Sequence, residues 1–208
     1  MSSLSSPQRM SVPEYLRLCL SHAKTYWFRY SAPVLVVALA SLFVRFDVNY
    51  TDSLPDHVFL TIKGETANLS PGDYVTFGFP TEDPRSPFRK GDHFVKLVAG
   101  VPGDRLFMTE GREFYVVPRA TYGDQTPDVP LDELRRVVES GEPSDFRYLG
   151  RSKEYSMRGD ALDPGPQDVI PAGSIVVAAP HPDSLDSRYS MVGFVPVSVV
   201  MGKTYPLF

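Results

Sequence analysis

Cysteine is almost absent. Cys19 stands alone, so no disulfide can form within the chain, and cysteine usage says little about compartment. Metal-ligand patterns are missing as well. The four histidines, His22, His57, His93 and His181, are scattered, without an HExxH pair or a paired-cysteine spacing. There is no glycine-rich phosphate loop, and no GxSxG elbow to seat a Ser–His–Asp triad. Neither a metal nor a cofactor is therefore expected. Positive charge is not in excess: the formal net charge is −4, which disfavours nucleic acid as a partner. Nor is there an uninterrupted apolar run of the roughly 20 residues that a comfortable membrane-spanning helix takes.

What is present is unevenly spread. The chain has 208 residues, a length suited to one main folded domain, and 42% of them are hydrophobic, which argues against wholesale disorder. Residues 1–45 carry Arg9, Arg17, Lys24, Arg29 and Arg45 against Glu14 alone, and the remainder is acidic. A basic leader, an apolar run and an acidic body form the charge pattern of a membrane-inserted protein with its N-terminus inside. The apolar run is Ala32–Val44, between Arg29 and Arg45. With the aromatic stretch from Tyr26 it approaches spanning length, the aromatics sitting at headgroup level and Arg29 snorkelling. The flanks favour a retained anchor. A cleaved secretory signal is the alternative suggested by Ala38-Leu39-Ala40, although that triplet lies inside the run. A buried helix of a soluble protein is a third. Leu16, Leu20 and Ala23 recur at helical spacing and suggest an amphipathic lead-in. The expected division is a cytoplasmic leader over 1–30, a transmembrane anchor over 31–45, and a body over 46–208 on the periplasmic side of a bacterial inner membrane.

From Pro55 onward the 20 prolines and 15 glycines of the chain punctuate short segments rich in β-branched and aromatic residues. Val58–Ile62, Tyr74–Phe79, His93–Ala99, Phe114–Val117, Ser174–Ala179 and Phe194–Val200 read as strands, so the fold class expected is mainly β. Leu131–Ser140 is the exception. Leu131, Leu134 and Val138 share a helical face, and Gly141 follows as a stop. The proline-, glycine- and charge-rich stretch 119–167 reads as a loop or lid insertion containing that short helix.

With metal, phosphate and triad chemistry disfavoured, a serine–lysine pair remains. Four segments carry it in order: Thr51-Asp52-Ser53-Leu54-Pro55; Pro71-Gly72-Asp73-Tyr74-Val75; Phe94-Val95-Lys96-Leu97-Val98-Ala99-Gly100-Val101-Pro102-Gly103-Asp104; and His181-Pro182-Asp183-Ser184-Leu185-Asp186-Ser187-Arg188-Tyr189, which runs on to Gly193-Phe194-Val195-Pro196. Together they resemble the sequence boxes of bacterial type I signal peptidases. The "SLP" and "HP-x-S-x-DSRY" forms are most similar to the conjugative-transfer, TraF-type branch.

A serine hydroxyl needs a neighbour to take its proton, and a lysine can do so only when neutral. Burial lowers a lysine pKa by penalising the ammonium, and Lys96 is set among Phe94, Val95, Leu97 and Val98. On a strand Lys96 shares a face with Phe94 and Val98. Read locally, Lys96 could equally be an exposed edge-strand lysine and Ser53 a turn or N-cap residue before Leu54-Pro55. The resemblance implies Ser53 as nucleophile and Lys96 as general base. It also implies an oxyanion site made by the Ser53 N–H and the Thr51 hydroxyl, Ser184 orienting the lysine, and Asp186 with Arg188 bracing the site. The bland reading of that last pair is an ordinary loop salt bridge. The opening Gly-Asp-Asn of leader peptidases is replaced here by Ala179-Pro180-His181-Pro182-Asp183. A Ser–His mechanism through His181 is disfavoured because Lys96 fills the base position. The implied activity is an endopeptidase that cleaves precursor proteins after small residues at the membrane, with a pilin precursor as the expected substrate. The alternatives are a general leader peptidase, a self-cleaving repressor, for which the basic segment is too apolar and short to serve as the DNA-binding domain, and a non-enzymatic membrane-tethered β module.

Overall fold

The computed structural model describes residues 11–141 and 144–208; the first ten residues of the expected leader, Arg9 among them, lie outside it. The chain divides into two compact units, Met1–Phe43 and Val44–Phe208.

The first unit is helical. α1 (Val12–Thr25) starts where the Ser11 backbone N–H and hydroxyl both donate to the Glu14 carboxylate, at 3.0 and 2.7 Å. α2 (Trp27–Phe43) holds the apolar run, with Pro33 inside it. Among the described residues no single helix is long and apolar enough to cross a membrane; the pair α1 and α2, bent by 67°, meets the length and composition together. The helix starts at Trp27 and stops at Phe43. Val44 and Arg45, expected in the anchor, instead open a strand, because they pair with Ile62 and Thr61.

The second unit is mainly β. Its strands are β1 (Val44–Val48), β2 (Val58–Lys63), β3 (Tyr74–Gly78), β4 (His93–Gly100), β5 (Arg105–Met108), β6 (Glu113–Val117), β7 (Arg147–Arg151), β8 (Ser174–Ala178), β9 (Val195–Pro196) and β10 (Val200–Pro206). Seven form one sheet in the order β1-β2-β10-β3-β4-β8-β9, and β5, β6 and β7 form a second. Val75, Phe77, Val98, Ile175 and Val177 alternate inward from β3, β4 and β8 and pack with Met191, Val195 and Val200. A second cluster joins Ala99, Val176 and Ala178 of the large sheet to Leu106, Phe114 and Val116 of the small one.

Between β6 and β7 lie the short helix α3 (Arg119–Tyr122) and α4 (Leu131–Ser140), which ends at Gly141 in the left-handed region. Leu134 of α4 is fully buried against Phe107, Val117 and Val129. The stretch 119–167 thus contributes strand β7 and part of a core, and not loop alone. The expected strand Phe194–Val200 is broken. Pro196 has no N–H to extend a ladder, a 3-10 turn follows at Val197–Val199, and β10 runs on to Pro206.

One part of the core is polar. Asp47 of β1 is buried and accepts the Thr61 hydroxyl at 2.6 Å and the Arg45 guanidinium at 2.8 Å. The hydroxyls of Thr61, Thr76 and Thr204, from three adjacent strands, lie 2.9–3.0 Å from one another. Every donor in this cluster has an acceptor, which is the condition for burying polar groups without a large desolvation penalty.

Candidate active site

Ser53 sits in the turn between β1 and β2. The mouth of that turn is closed by the Asn49 N–H, which donates to the His57 carbonyl at 2.8 Å. Leu54 is buried with Phe59, Val95 and Ala179, so the residue after the serine plugs into β4 beside Lys96 and into the segment leading to Ser184. This apolar plug fixes the height of the turn over the sheet.

Lys96 pairs with Val75 in the β3–β4 ladder and is only 4% exposed. Its ammonium lies 5.8 Å from the centre of the Phe94 ring, on the shared face expected from strand alternation, and donates to Ser184 Oγ at 2.9 Å. Burial pushes the Lys96 pKa down to about 8; Asp186 opposes that shift and Arg188 reinforces it. A lysine so placed is about one-tenth neutral at pH 7, far more than a lysine in water.

Asp186 and Arg188 lie behind Ser184 and do not face the cleft. The Arg188 guanidinium, 1% exposed, meets Asp186 at 2.8 Å through both Nε and Nη2. The same guanidinium donates to the carbonyls of His181, Ser184 and Arg151. Asp186 in turn accepts the backbone N–H of Ala179 at 3.2 Å. The pair therefore staples both ends of the Ser184 loop to the end of β8 and to β7. Gly150 on β7, at φ 106°, makes room for it: a Cβ there would lie 2.6 Å from Arg188 Nη1. A fully satisfied bidentate pair of this kind differs from a surface ion pair of little value.

Thr51, Ser53, Lys96 and Ser184 line one cleft of about 370 Å3. Asn49 lines it too, and was not anticipated. Its Oδ1 accepts the Thr51 backbone N–H at 3.3 Å and the Thr51 hydroxyl at 2.8 Å. Thr51 has a single hydroxyl proton, spent there, so across the 2.9 Å contact between Thr51 and Ser53 it is Ser53 that donates. Asn49 Nδ2 donates back to Ser53 Oγ at 3.4 Å. In this resting ring the Ser53 proton is directed to Thr51 rather than to Lys96. The close spacing of Asn49, Thr51 and Ser53 ahead of Leu54-Pro55, polar residues gathered in one turn, was the available signal. His181 accepts the Asp183 N–H at 3.1 Å, and the Asp183 carboxylate pairs with Lys153.

The sequence profile described as "Signal peptidase, peptidase S26" matches residues 25–208. No curated protein matches the sequence. Among solved structures, signal peptidase I from Enterococcus faecalis V583 is similar at 21% identity, over 66% of this chain and 97% of that one, with a TM-score of 0.35.

Proposed function

Because the chain belongs to the signal peptidase S26 family, we propose that it is a serine endopeptidase acting on exported precursor proteins through Ser53 and Lys96. The observation that carries the dyad is Lys96 itself: buried, lowered to about 8, oriented by Ser184 and opening on the same cleft as Ser53. Neutral Lys96 takes the Ser53 proton as Oγ attacks the scissile carbonyl carbon. The charge that develops on the carbonyl oxygen meets the Ser53 N–H and the Thr51 hydroxyl, which turns away from Asn49 to reach it. The Lys96 ammonium then protonates the departing amine, leaving an ester on Ser53. Water hydrolyses that ester, with Lys96 again taking the proton and returning it to Ser53. Ser53→Ala removes one oxygen with little packing cost. The purified variant should keep its circular dichroism spectrum and lose cleavage of a precursor peptide; retained cleavage would remove Ser53 as the nucleophile.

The same reading puts the leader in the cytoplasm, α2 in the inner membrane and the body in the periplasm. Its support is the charge asymmetry and the 17-residue α2, about 25 Å long at 1.5 Å per residue. A further support is the outer face of the large sheet. There Phe46, Val48 and Tyr205 are 39–67% exposed, with Phe46, Leu60 and Tyr205 in one row across three strands. An apolar face of this kind suits a lipid surface. Protease added to spheroplasts should digest the body and spare the leader. A protected body would overturn this topology. The "SLP" and "HP-x-S-x-DSRY" forms support a pilin precursor of conjugative transfer as substrate. Preferred cleavage of a general secretory precursor over a pilin precursor would assign a leader peptidase instead.

A further inference from the structure

Beside the catalytic cleft lies a second hollow of about 280 Å3. Phe88, Asp183 and Leu185 line both, so the two are neighbours that share a wall. Its floor is apolar, with Leu162, Tyr189 and Met191 joining Phe88 and Leu185, and its far wall is a hairpin spanning residues 154–162. In that hairpin Tyr155 bridges Ala161, the Ser156 N–H donates to the Asp160 carbonyl at 2.8 Å, and the Leu162 N–H donates to the Glu154 carbonyl at 2.8 Å. Arg112 clasps both stems, its Nη2 donating to the carbonyls of Lys153 and Leu162 at 3.0 Å. Arg85 holds the same wall through Asp163 at 2.9 Å and the Ala161 carbonyl at 3.3 Å.

A hairpin braced this thoroughly nevertheless holds Met157 98% exposed and Tyr155 61% exposed against the hollow. Exposed apolar side chains on an ordered wall, over an apolar floor, are the make-up of a ligand site rather than of a solvated loop. Methionine adapts its shape to varied partners. The geometry points to this hollow as an extended substrate subsite that takes an apolar segment of the same precursor whose scissile bond lies over Ser53. This rests on the peptidase reading of the cleft and adds a requirement beyond the cleavage point. The precursor's polypeptide is the occupant because the hollow shares Phe88, Asp183 and Leu185 with the cleft that the chain already fills. An extended chain advances roughly 3.3 Å per residue, so the segment lies a few residues to one side of the cut.

The test is peptide binding to the full-length Ser53→Ala protein in lipid nanodiscs, read by fluorescence anisotropy. Peptides of equal length share one central Ala–Ala bond and are extended on either side with leucine or with serine. A leucine extension on one side should tighten the dissociation constant by about tenfold over serine, the order expected for burying one apolar side chain. Adding Met157→Glu should abolish that gain and leave the serine peptide unchanged; so should Tyr155→Ser, a second surface change that spares the core. Equal binding of leucine and serine peptides on both sides would overturn the proposal. So would a gain that survives both substitutions, or a loss shared by every peptide. Binding is read without turnover, so its outcome does not depend on the nucleophile. Failure of the Ser–Lys reading would appear separately, as cleavage by the Ser53→Ala protein itself.

Discussion

Replacing Lys96 with methionine should abolish activity and make the protein more stable at neutral pH. Methionine has a similar length and no charge to bury. In the unfolded chain Lys96 titrates near the ordinary lysine value of 10.5, and in the folded protein near 8. Two to three pKa units at 1.36 kcal/mol each put the cost of holding the buried ammonium at roughly 3 kcal/mol. That cost is present in full below pH 8, where both states are protonated. Between the two pKa values the unfolded chain keeps a proton the folded protein has shed, so wild-type stability climbs with pH. Above about 10.5 the cost is gone. Against this, Lys96→Met forfeits the bond to Ser184, worth on the order of 1 kcal/mol. The expected net gain at pH 6–7 is therefore about 2 kcal/mol, shrinking towards zero or a small loss by pH 10. Urea unfolding of both proteins, followed by far-UV circular dichroism at several pH values in one detergent, measures the difference. Other titrating groups are common to both and cancel. Equal or lower stability of Lys96→Met at pH 7, or a difference that does not vary with pH, would refute the claim that burial sets the lysine's pKa.

The other expectations concern the cleft and its brace. Cleavage by the wild type should rise with pH and reach half its maximum near 8, where Lys96 loses its proton, and Lys96→Arg should be inactive at every usable pH because guanidinium stays protonated; turnover by that variant would end the general-base assignment. Asn49→Ala should raise kcat, by at most about fivefold for one neutral hydrogen bond that Thr51 gives up in the transition state, and its effect should disappear in a Thr51→Ala background, because Asn49 acts through Thr51. A lowered kcat, or effects that add in the double variant, would separate the two residues. Gly150→Ala combines a strained φ with a clash against buried Arg188, and a loss of at least about 2 kcal/mol is expected in the same urea assay; an unchanged midpoint would mean that Arg188 has another place to go.

Several strands were legible as short apolar runs bounded by turns: in Ser174–Ala178 both faces are apolar, Ile175 and Val177 packing in one cluster and Val176 and Ala178 in the other. β1 was not. Its buried residue is Asp47, while Phe46 and Val48 face out, so its alternation is inverted and it reads as the tail of the apolar helix. β10 hid for a related reason: its inward residues are Val200, Gly202 and Thr204, and the last completes a hydroxyl cluster that no hydropathy pattern announces. At the site, Lys96 and Ser53 were legible through the four sequence boxes taken together; read locally, a lysine on a strand and a serine before Leu54-Pro55 are commonplace. Asn49 was not, since an asparagine before a turn is commonplace; only the direction of its hydrogen bonds gives it a part.

The strand order also sets a timetable. The β1–β2 hairpin, with Ser53 in its turn, reaches the ladder that holds Lys96 through β10, which pairs with β2 on one edge and β3 on the other. Until Val200–Pro206 has paired, the two halves of the sheet have no main-chain seam between them. Ser53 and Lys96 are then linked only through side-chain packing, such as Leu54 against Val95. Such non-local closure is slow to form and comes late. The Ser53–Lys96 cleft is therefore completed only when β10 has paired on both of its edges.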